Sequence, residues 1–122
     1  MDLVRAILLA CEAEASGEPV FPLVIDGYSA SQIGYHATIL GEAGLAIGSD
    51  VTTRSDDGIR FLISRLTWAG HEFLDAARDD TAWAKAKGIA AKAGGGGIEV
   101  LKSVLGELAK DTARRLMGLP PA

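Results

Sequence analysis

The chain has 122 residues, of which 48% are hydrophobic and 23% are charged, with one cysteine and a formal net charge of −4. The high hydrophobic fraction excludes a disordered chain, and the single cysteine excludes an internal disulfide. No apolar run approaches the roughly 20 residues needed to cross a bilayer, which excludes a membrane-spanning helix. We therefore expect one globular, cytoplasmic protein with no signal peptide.

The charges are distributed unevenly along the chain. Residues 1–80 contain five Lys and Arg against thirteen Asp and Glu, whereas residues 81–122 contain seven against three. An acidic body repels phosphate, while a basic end can attract phosphate or bind an acidic surface. The two parts are thus expected to differ in the partners that they attract.

The first two predicted elements are a helix and a short strand. Residues 2–15 have Asp2 as a helix cap and an apolar stripe formed by Leu3, Val4, Ile7, Leu8 and Cys11. We interpret Cys11 as a small core residue rather than a nucleophile. The β-branched and aromatic segment Val20–Ile25 predicts a strand, and Pro22, which has no N–H, places that strand at a sheet edge.

A helix, a two-stranded ribbon and a second helix are predicted between Tyr28 and Leu74. The first helix covers residues 29–43, with Ser29 or Ser31 as its cap and Gly44 as the residue that ends it. The turn-rich segment 48–58 leads into an alternating strand over residues 59–66. Thr67 is then a natural cap for the next helix.

The remaining residues predict two further helices. Asp79 or Asp80 caps a segment that reaches about Ala93, and the glycines at 94–97 form a hinge before a helix over residues 98–117. We divide the chain into a domain at 1–78 and a C-terminal helical extension at 79–122, which packs on the domain or forms a dimer interface.

This order of elements resembles the second half of a winged helix-turn-helix domain. A further set of motifs consists of residues 1–9, Gly27-Tyr-Ser, Gln32–Leu45, Leu66–Asp80, Trp83 and the glycines followed by Val100-Leu-Lys. In combination these motifs resemble a domain-of-unknown-function family of small bacterial and prophage-associated proteins. The resemblance implies a winged-helix-like domain. Together with the elements above, it predicts an α+β fold with a short N-terminal edge strand, a two-stranded wing and C-terminal helices. It supplies no activity, cofactor or catalytic residue.

The winged-helix resemblance implies double-stranded DNA as a partner, with helix 29–43 as the reader and segment 48–58 as the wing. The DNA-binding candidates are Ser31, Gln32, Tyr35, His36, Thr38, Arg54 and Arg60. Residues 29–48, however, contain no Lys or Arg and carry one charge, Glu42, whereas DNA binding draws its non-specific affinity from basic groups. A solvated helix face, or a face for a protein partner, is the alternative.

No motif in the sequence supports metal binding or catalysis. His36 and His71 are not in metal-ligand spacing, and no nucleophile has a matching base, so we expect no metal, cofactor, small-molecule ligand or enzyme activity. The last helix predicts a homodimer. Its candidate interface residues are Leu101, Val104, Leu105, Leu108 and Leu116. The basic residues near it, among them Arg114 and Arg115, would contact nucleic acid or the acidic body of a neighbouring copy.

Two hypotheses about function follow. The first is a DNA-binding transcriptional regulator of winged-helix type with a prophage association. The second is a protein-protein interaction module on the same scaffold without direct DNA binding, because a fold does not dictate its use.

Overall fold

The computed structural model describes residues 2–14, 19, 21–93 and 97–118. Within them the fold is mixed α+β, with five helices and a two-stranded antiparallel sheet between the second and third helices. The elements are α1 (Asp2–Ala13), α2 (Ala30–Glu42), β1 (Ala46–Asp50), β2 (Phe61–Leu66), α3 (Trp68–Ala77), α4 (Asp80–Lys92) and α5 (Ile98–Leu116). None of these helices is long and apolar enough to span a membrane.

The chain forms two compact units. We call Asp2–Glu72 the helix–ribbon unit, and we call the part from Phe73 onward the C-terminal unit. The division predicted between residues 78 and 79 stays a prediction.

Local hydrogen bonds set the limits of α2. The Ser29 hydroxyl accepts a hydrogen bond from the Gln32 backbone N–H (3.1 Å), and the Gln32 side-chain oxygen accepts one from the Ser29 N–H (2.8 Å). This reciprocal pair is a capping box, so Ser29 rather than Ser31 is the cap. Gly44 has a φ of +76°, the left-handed conformation expected after the last helical residues.

The sheet is a ribbon with one irregularity. Ile47 lies opposite Arg65, and Gly48 lies opposite Ile63, so Ser64 is an extra residue in β2. An extra residue shifts the alternation of side chains between the two faces. Ile63 and Leu66 are therefore both buried, although they are three positions apart.

The edge strand predicted at Val20–Ile25 is wrong over its described part. Residues 21–25 have no strand structure, and Val20 lies outside the described residues. In the described part of the chain, β1 and β2 pair only with each other, so this segment has no ladder to join. Val24 is 80% exposed, which shows that the apolar composition of the segment does not reflect burial on a sheet.

The first helix buries its apolar stripe as predicted. Leu3, Val4, Ile7 and Leu8 are buried, and Cys11 is half-buried. The helix includes Asp2 in its first turn instead of following it, and a carboxylate at that place suits the positive end of the helix dipole. Its last helical residue is Ala13, two residues before the predicted end.

The C-terminal unit is built on α4 and α5. Asp79 caps α4 by accepting a hydrogen bond from the Ala82 N–H (2.8 Å), and Trp83 meets Phe73 edge to face with 6.3 Å between ring centroids. The side chains buried on the two helices are Trp83, Ala86, Ala90, Ile98, Leu101 and Leu105. Of the predicted glycine hinge, residues 94–96 lie outside the described residues, and Gly97 occupies the cap position of α5.

Candidate functional site

One side of α2 lies beside the ribbon and forms a mixed surface with it. Ser31, Tyr35, Thr38 and Glu42 follow one another at steps of four, three and four residues, so they share one side of the helix. Tyr35, Ile47 and Ile59 are 55%, 44% and 36% exposed, which is high for large apolar side chains. We call this surface, made of the α2 stripe together with Ile47, Ile59 and Phe61, the helix–ribbon face.

Glycines allow α2 and the ribbon to approach each other closely. A Cβ atom at Gly34 would lie 1.8 Å from the carbonyl oxygen of Ile59, and one at Gly58 would lie 2.1 Å from the Ser31 hydroxyl oxygen. A Cβ at Gly41 would lie 3.1 Å from the ring of Phe61. At Gly34 the two backbones can therefore meet only because the residue lacks a side chain, whereas at Gly58 and Gly41 the close neighbours are side chains.

The ring of Phe61 borders two open grooves along α2. One groove, of about 260 Å³, lies at the N-terminal half of the helix and is lined by residues that include Phe21, Ile33 and Arg60. The other, of about 370 Å³, lies at the C-terminal half and is lined by Thr38, Gly41, Glu42, Ala46, Ile47, Gly48 and Phe61. The second groove combines apolar walls with the carboxylate of Glu42.

The loop that connects β1 and β2 contains an arginine paired with neighbouring carboxylates. The Arg60 guanidinium donates to the Asp57 carboxylate at 2.7 Å and lies 3.7 Å from Asp56. The hydrogen bond from Arg60 holds the pKa of Asp57 below its ordinary value. Hydrogen bonds from Thr52 likewise lower the pKa of Asp50. Arg60 is therefore engaged with neighbouring carboxylates, and this partly cancels its charge toward a ligand.

Most of the predicted DNA-binding side chains on α2 use their polar groups inside the helix. Gln32 takes part in the capping box, the His36 Nδ1–H donates to the Gln32 carbonyl oxygen (2.8 Å), and the Thr38 hydroxyl donates to the Gly34 carbonyl oxygen (2.9 Å). Ser31 packs against Gly58. Tyr35 is exposed on the helix, and Arg54 is exposed in the connecting loop. A role for this set in DNA binding stays a prediction.

Sequence reasoning did not identify Ile47 and Ile59 as surface residues. Ile59 belongs to the predicted strand over residues 59–66. An alternating strand that buries Ala46 must point Ile47 to the opposite side, and this signal could have identified Ile47. Trp68 at the start of α3 is largely exposed, whereas Phe73 and Trp83 are buried.

The dimer candidates on α5 have different surroundings. Leu101 and Leu105 are buried within the C-terminal unit, and Val104 and Leu108 are half-buried. Leu116 is 83% exposed and is followed by the exposed Met117. The homodimer stays a prediction, and Leu116 is the candidate that is most accessible to a second copy.

Metal-ligand groups do not converge in the part of the chain that the structure describes. No three His, Cys, Asp or Glu side chains within it are placed to hold one metal ion. Burial raises the pKa of the Cys11 thiol to about 11, so the thiol is protonated at neutral pH.

Comparison with known proteins identifies relatives of the chain. The model of a family described as "Hypothetical protein (DUF2513)" matches residues 1–96, a range that contains α1 to α4 and both strands. An "Uncharacterized protein" of Haemophilus influenzae is 37% identical over 84 residues, which cover 67% of this chain and 69% of that protein. No solved structure matches the chain.

Proposed function

The chain belongs to the DUF2513 family, and we propose that its helix–ribbon unit is a winged-helix-type scaffold that binds another protein. The order of α2, ribbon and α3 is the order of reading helix, wing and following helix in winged-helix domains. The observation that carries the proposal is the helix–ribbon face, where the exposed apolar side chains of Tyr35, Ile47 and Ile59 lie on one surface with the Glu42 carboxylate.

The composition of this face suits a protein partner. Tyr35, Ile47 and Ile59 are the kinds of aromatic and aliphatic side chains that anchor protein interfaces, whose centres are depleted of charge. Residues 6–53, which include α2 and β1, contain no Lys or Arg. A duplex would therefore meet an acidic helix with few groups able to neutralise phosphate.

The hydrogen bonds of α2 also favour this reading. Base recognition in the major groove needs side-chain donors and acceptors that point away from the protein. Gln32, His36 and Thr38 instead bond to the backbone of their own helix. The Gln32 Oε1, the His36 Nδ1 and the Thr38 hydroxyl would have to exchange those bonds to read bases, whereas binding through Tyr35 and the isoleucines requires none to break.

The second candidate function is a DNA-binding transcriptional regulator, with the prophage association that the family resemblance implies. The helix–ribbon–helix order favours it, as does Arg54, which is exposed where a wing would approach a phosphate backbone. This candidate predicts binding that weakens steeply as salt concentration rises.

Fluorescence anisotropy separates the two candidates. A labelled random-sequence duplex is titrated with the full chain at about 50 and about 200 mM salt, a range over which phosphate contacts lose much of their affinity. Protein binding as the main function predicts no salt-sensitive signal at micromolar protein. Binding that is lost at high salt and in Arg54→Ala, but is kept in Arg65→Ala, would establish the DNA candidate instead.

Site-specific photo-crosslinking tests the protein candidate directly. A photoreactive phenylalanine analogue replaces Tyr35 in cells that express the chain, and the same analogue at Lys85 on α4 serves as the control. We expect a discrete protein adduct at position 35 that disappears when Ile47→Asp is added. Adducts of the same pattern at both positions, or none at position 35, would refute the proposal.

A further inference from the structure

We infer that the C-terminal end of α5 from a second copy of this chain docks on the helix–ribbon face. This inference rests on the proposed function, because it assigns an occupant to the same surface. The docking segment, called the α5 tip here, is Lys110–Met117, and it contains three basic residues and one acidic residue.

The α5 tip carries apolar side chains that its own unit does not cover. Helix α5 has 19 residues and is about 28 Å long, whereas α4 has 13 residues and is about 20 Å long. The buried side chains of α5 end at Leu105. Leu116 and Met117, two turns or more beyond that point, are largely exposed next to Arg114 and Arg115. Exposed apolar groups beside basic ones are suited to an acidic, apolar surface.

The unit that carries the helix–ribbon face has the complementary charge, and the face has an apolar groove. Residues 2–72 contain four basic and ten acidic residues, a net charge of −6. The groove of about 370 Å³ has Ile47 and Phe61 in its walls and Glu42 in its lining. An apolar side chain such as Leu116 would enter this groove, while a neighbouring guanidinium would pair with Glu42.

The cations of the tip can change partners at little cost. Arg115 pairs with Asp111, and Lys110 pairs with Glu107 at 3.5 Å, in both cases within one helix. Both side chains of the Lys110–Glu107 pair are about 70% exposed, and exposed pairs contribute little to stability.

A second copy fits as the partner because every copy supplies one tip and one face. Two copies can exchange tips around a two-fold axis, and the assembly then closes with both faces occupied. This arrangement differs from a helix pair between two α5 stripes, in which the faces would stay empty.

Sedimentation velocity of the full chain with charge-swapped variants tests the inference. The wild-type protein should associate between about 1 and about 200 μM, and more weakly at about 200 than at about 50 mM salt, because screening reduces the attraction of opposite charges. Glu42→Arg and Arg115→Glu should each weaken association at least tenfold. Their equimolar mixture should associate again, because opposite charges then face each other in both contacts of the mixed dimer. Lys85→Glu, which makes the same change of charge outside the tip, should associate like the wild type.

The remaining outcomes overturn the inference. A wild-type chain that is monomeric at every concentration excludes the contact but leaves the photo-crosslinking result at Tyr35 to decide the proposed function. Association that survives both charge reversals and is lost only in Leu116→Asp shows that α5 pairs with α5. Circular dichroism of each variant verifies that it is folded, so a loss of association is not mistaken for unfolding.

Discussion

The hydroxyl of Thr67 donates a hydrogen bond to the carbonyl oxygen of Gly44, 2.6 Å away and 23 residues earlier in the chain. The same hydroxyl oxygen accepts a hydrogen bond from the Gly70 N–H (3.0 Å) and so caps α3. The backbone N–H of Thr67 donates to the Leu45 carbonyl oxygen. One residue thus connects the end of α2, the ribbon and the start of α3.

Thr67→Ala should destabilise the protein measurably. The change removes a helix cap, worth about 1 kcal/mol, and leaves the Gly44 carbonyl without its hydroxyl donor, so we expect a total loss of about 1–2 kcal/mol in the free energy of unfolding. Urea unfolding followed by circular dichroism measures it. Thr67→Ser, which keeps the hydroxyl, is the control and should lose less than half as much. Equal losses in the two variants would show that the methyl group, not the hydrogen bonds, matters.

Gly34→Ala should be more damaging than an ordinary glycine replacement. The added Cβ would lie 1.8 Å from the Ile59 carbonyl oxygen, so α2 and the ribbon would have to separate. We expect a loss of about 2–3 kcal/mol or more, typical of overpacking against backbone. Gly88→Ala on α4 is the control. Its Cβ meets open space, and alanine favours a helix by about 1 kcal/mol, so this variant should be slightly stabilised. A neutral Gly34→Ala would contradict the close approach.

The elements that the sequence predicts well are those fixed by neighbours along the chain. Ser29 caps α2, Asp79 caps α4 and Thr67 caps α3 through backbone groups three residues away, so these capping roles can be read from local patterns. The bonds from Thr67 to Gly44 and Leu45 span more than 20 residues and cannot be read in this way. The extra residue in β2 at Ser64 cannot be read in this way, because a bulge depends on the register with β1. The strand prediction at Val20–Ile25 fails over its described residues for a related reason: composition does not tell whether a partner strand exists.

The candidate surface was only partly visible in the sequence. Periodicity placed Tyr35 and its neighbours on α2, but it could not show that His36 and Thr38 bond to their own helix. The importance of Gly34 was also hidden, since its contact with Ile59 spans 25 positions and depends on how the ribbon packs. Contacts between distant segments therefore decide which side chains of α2 are available to a partner, and helical periodicity alone does not show those contacts.

Asp57 should titrate below the ordinary range for a carboxyl group. Because its pKa is lowered by the Arg60 hydrogen bond, the pair is present above the ordinary pKa and is lost as pH falls through the lower value. Carboxyl-carbon NMR should show a higher pKa for Asp57 in Arg60→Ala. Asp50, whose pKa is lowered by Thr52, is the internal control and should not move. An unchanged pKa of Asp57 in this variant would mean that the hydrogen bond from Arg60 to Asp57 does not form in solution.

Cys11 should react slowly with thiol reagents. Its pKa of about 11 leaves, at pH 8, about a hundredfold less thiolate than an exposed cysteine has, and thiolate is the reactive form. The rate of reaction with a disulfide reagent should rise about tenfold per pH unit up to pH 10. The control is Ser49→Cys in a Cys11→Ala background, which places the thiol at an exposed position of β1. Similar rates for the two thiols would show that α1 opens readily.

Leu101 and Leu116 lie on the same helix, and replacing each with alanine separates packing within one chain from contact between copies. Leu101 is fully buried in the C-terminal unit, so Leu101→Ala should lower the free energy of unfolding by about 2–5 kcal/mol. Leu116 is exposed, so Leu116→Ala should change it by less than about 0.5 kcal/mol at a protein concentration at which the chain is monomeric. Thermal unfolding at low and high concentration measures both effects. If Leu116→Ala lowers the thermal unfolding midpoint only at high protein concentration, the Leu116 side chain contributes to association. If Leu101→Ala is harmless at low concentration, the packing of α5 on α4 does not stabilise the isolated chain.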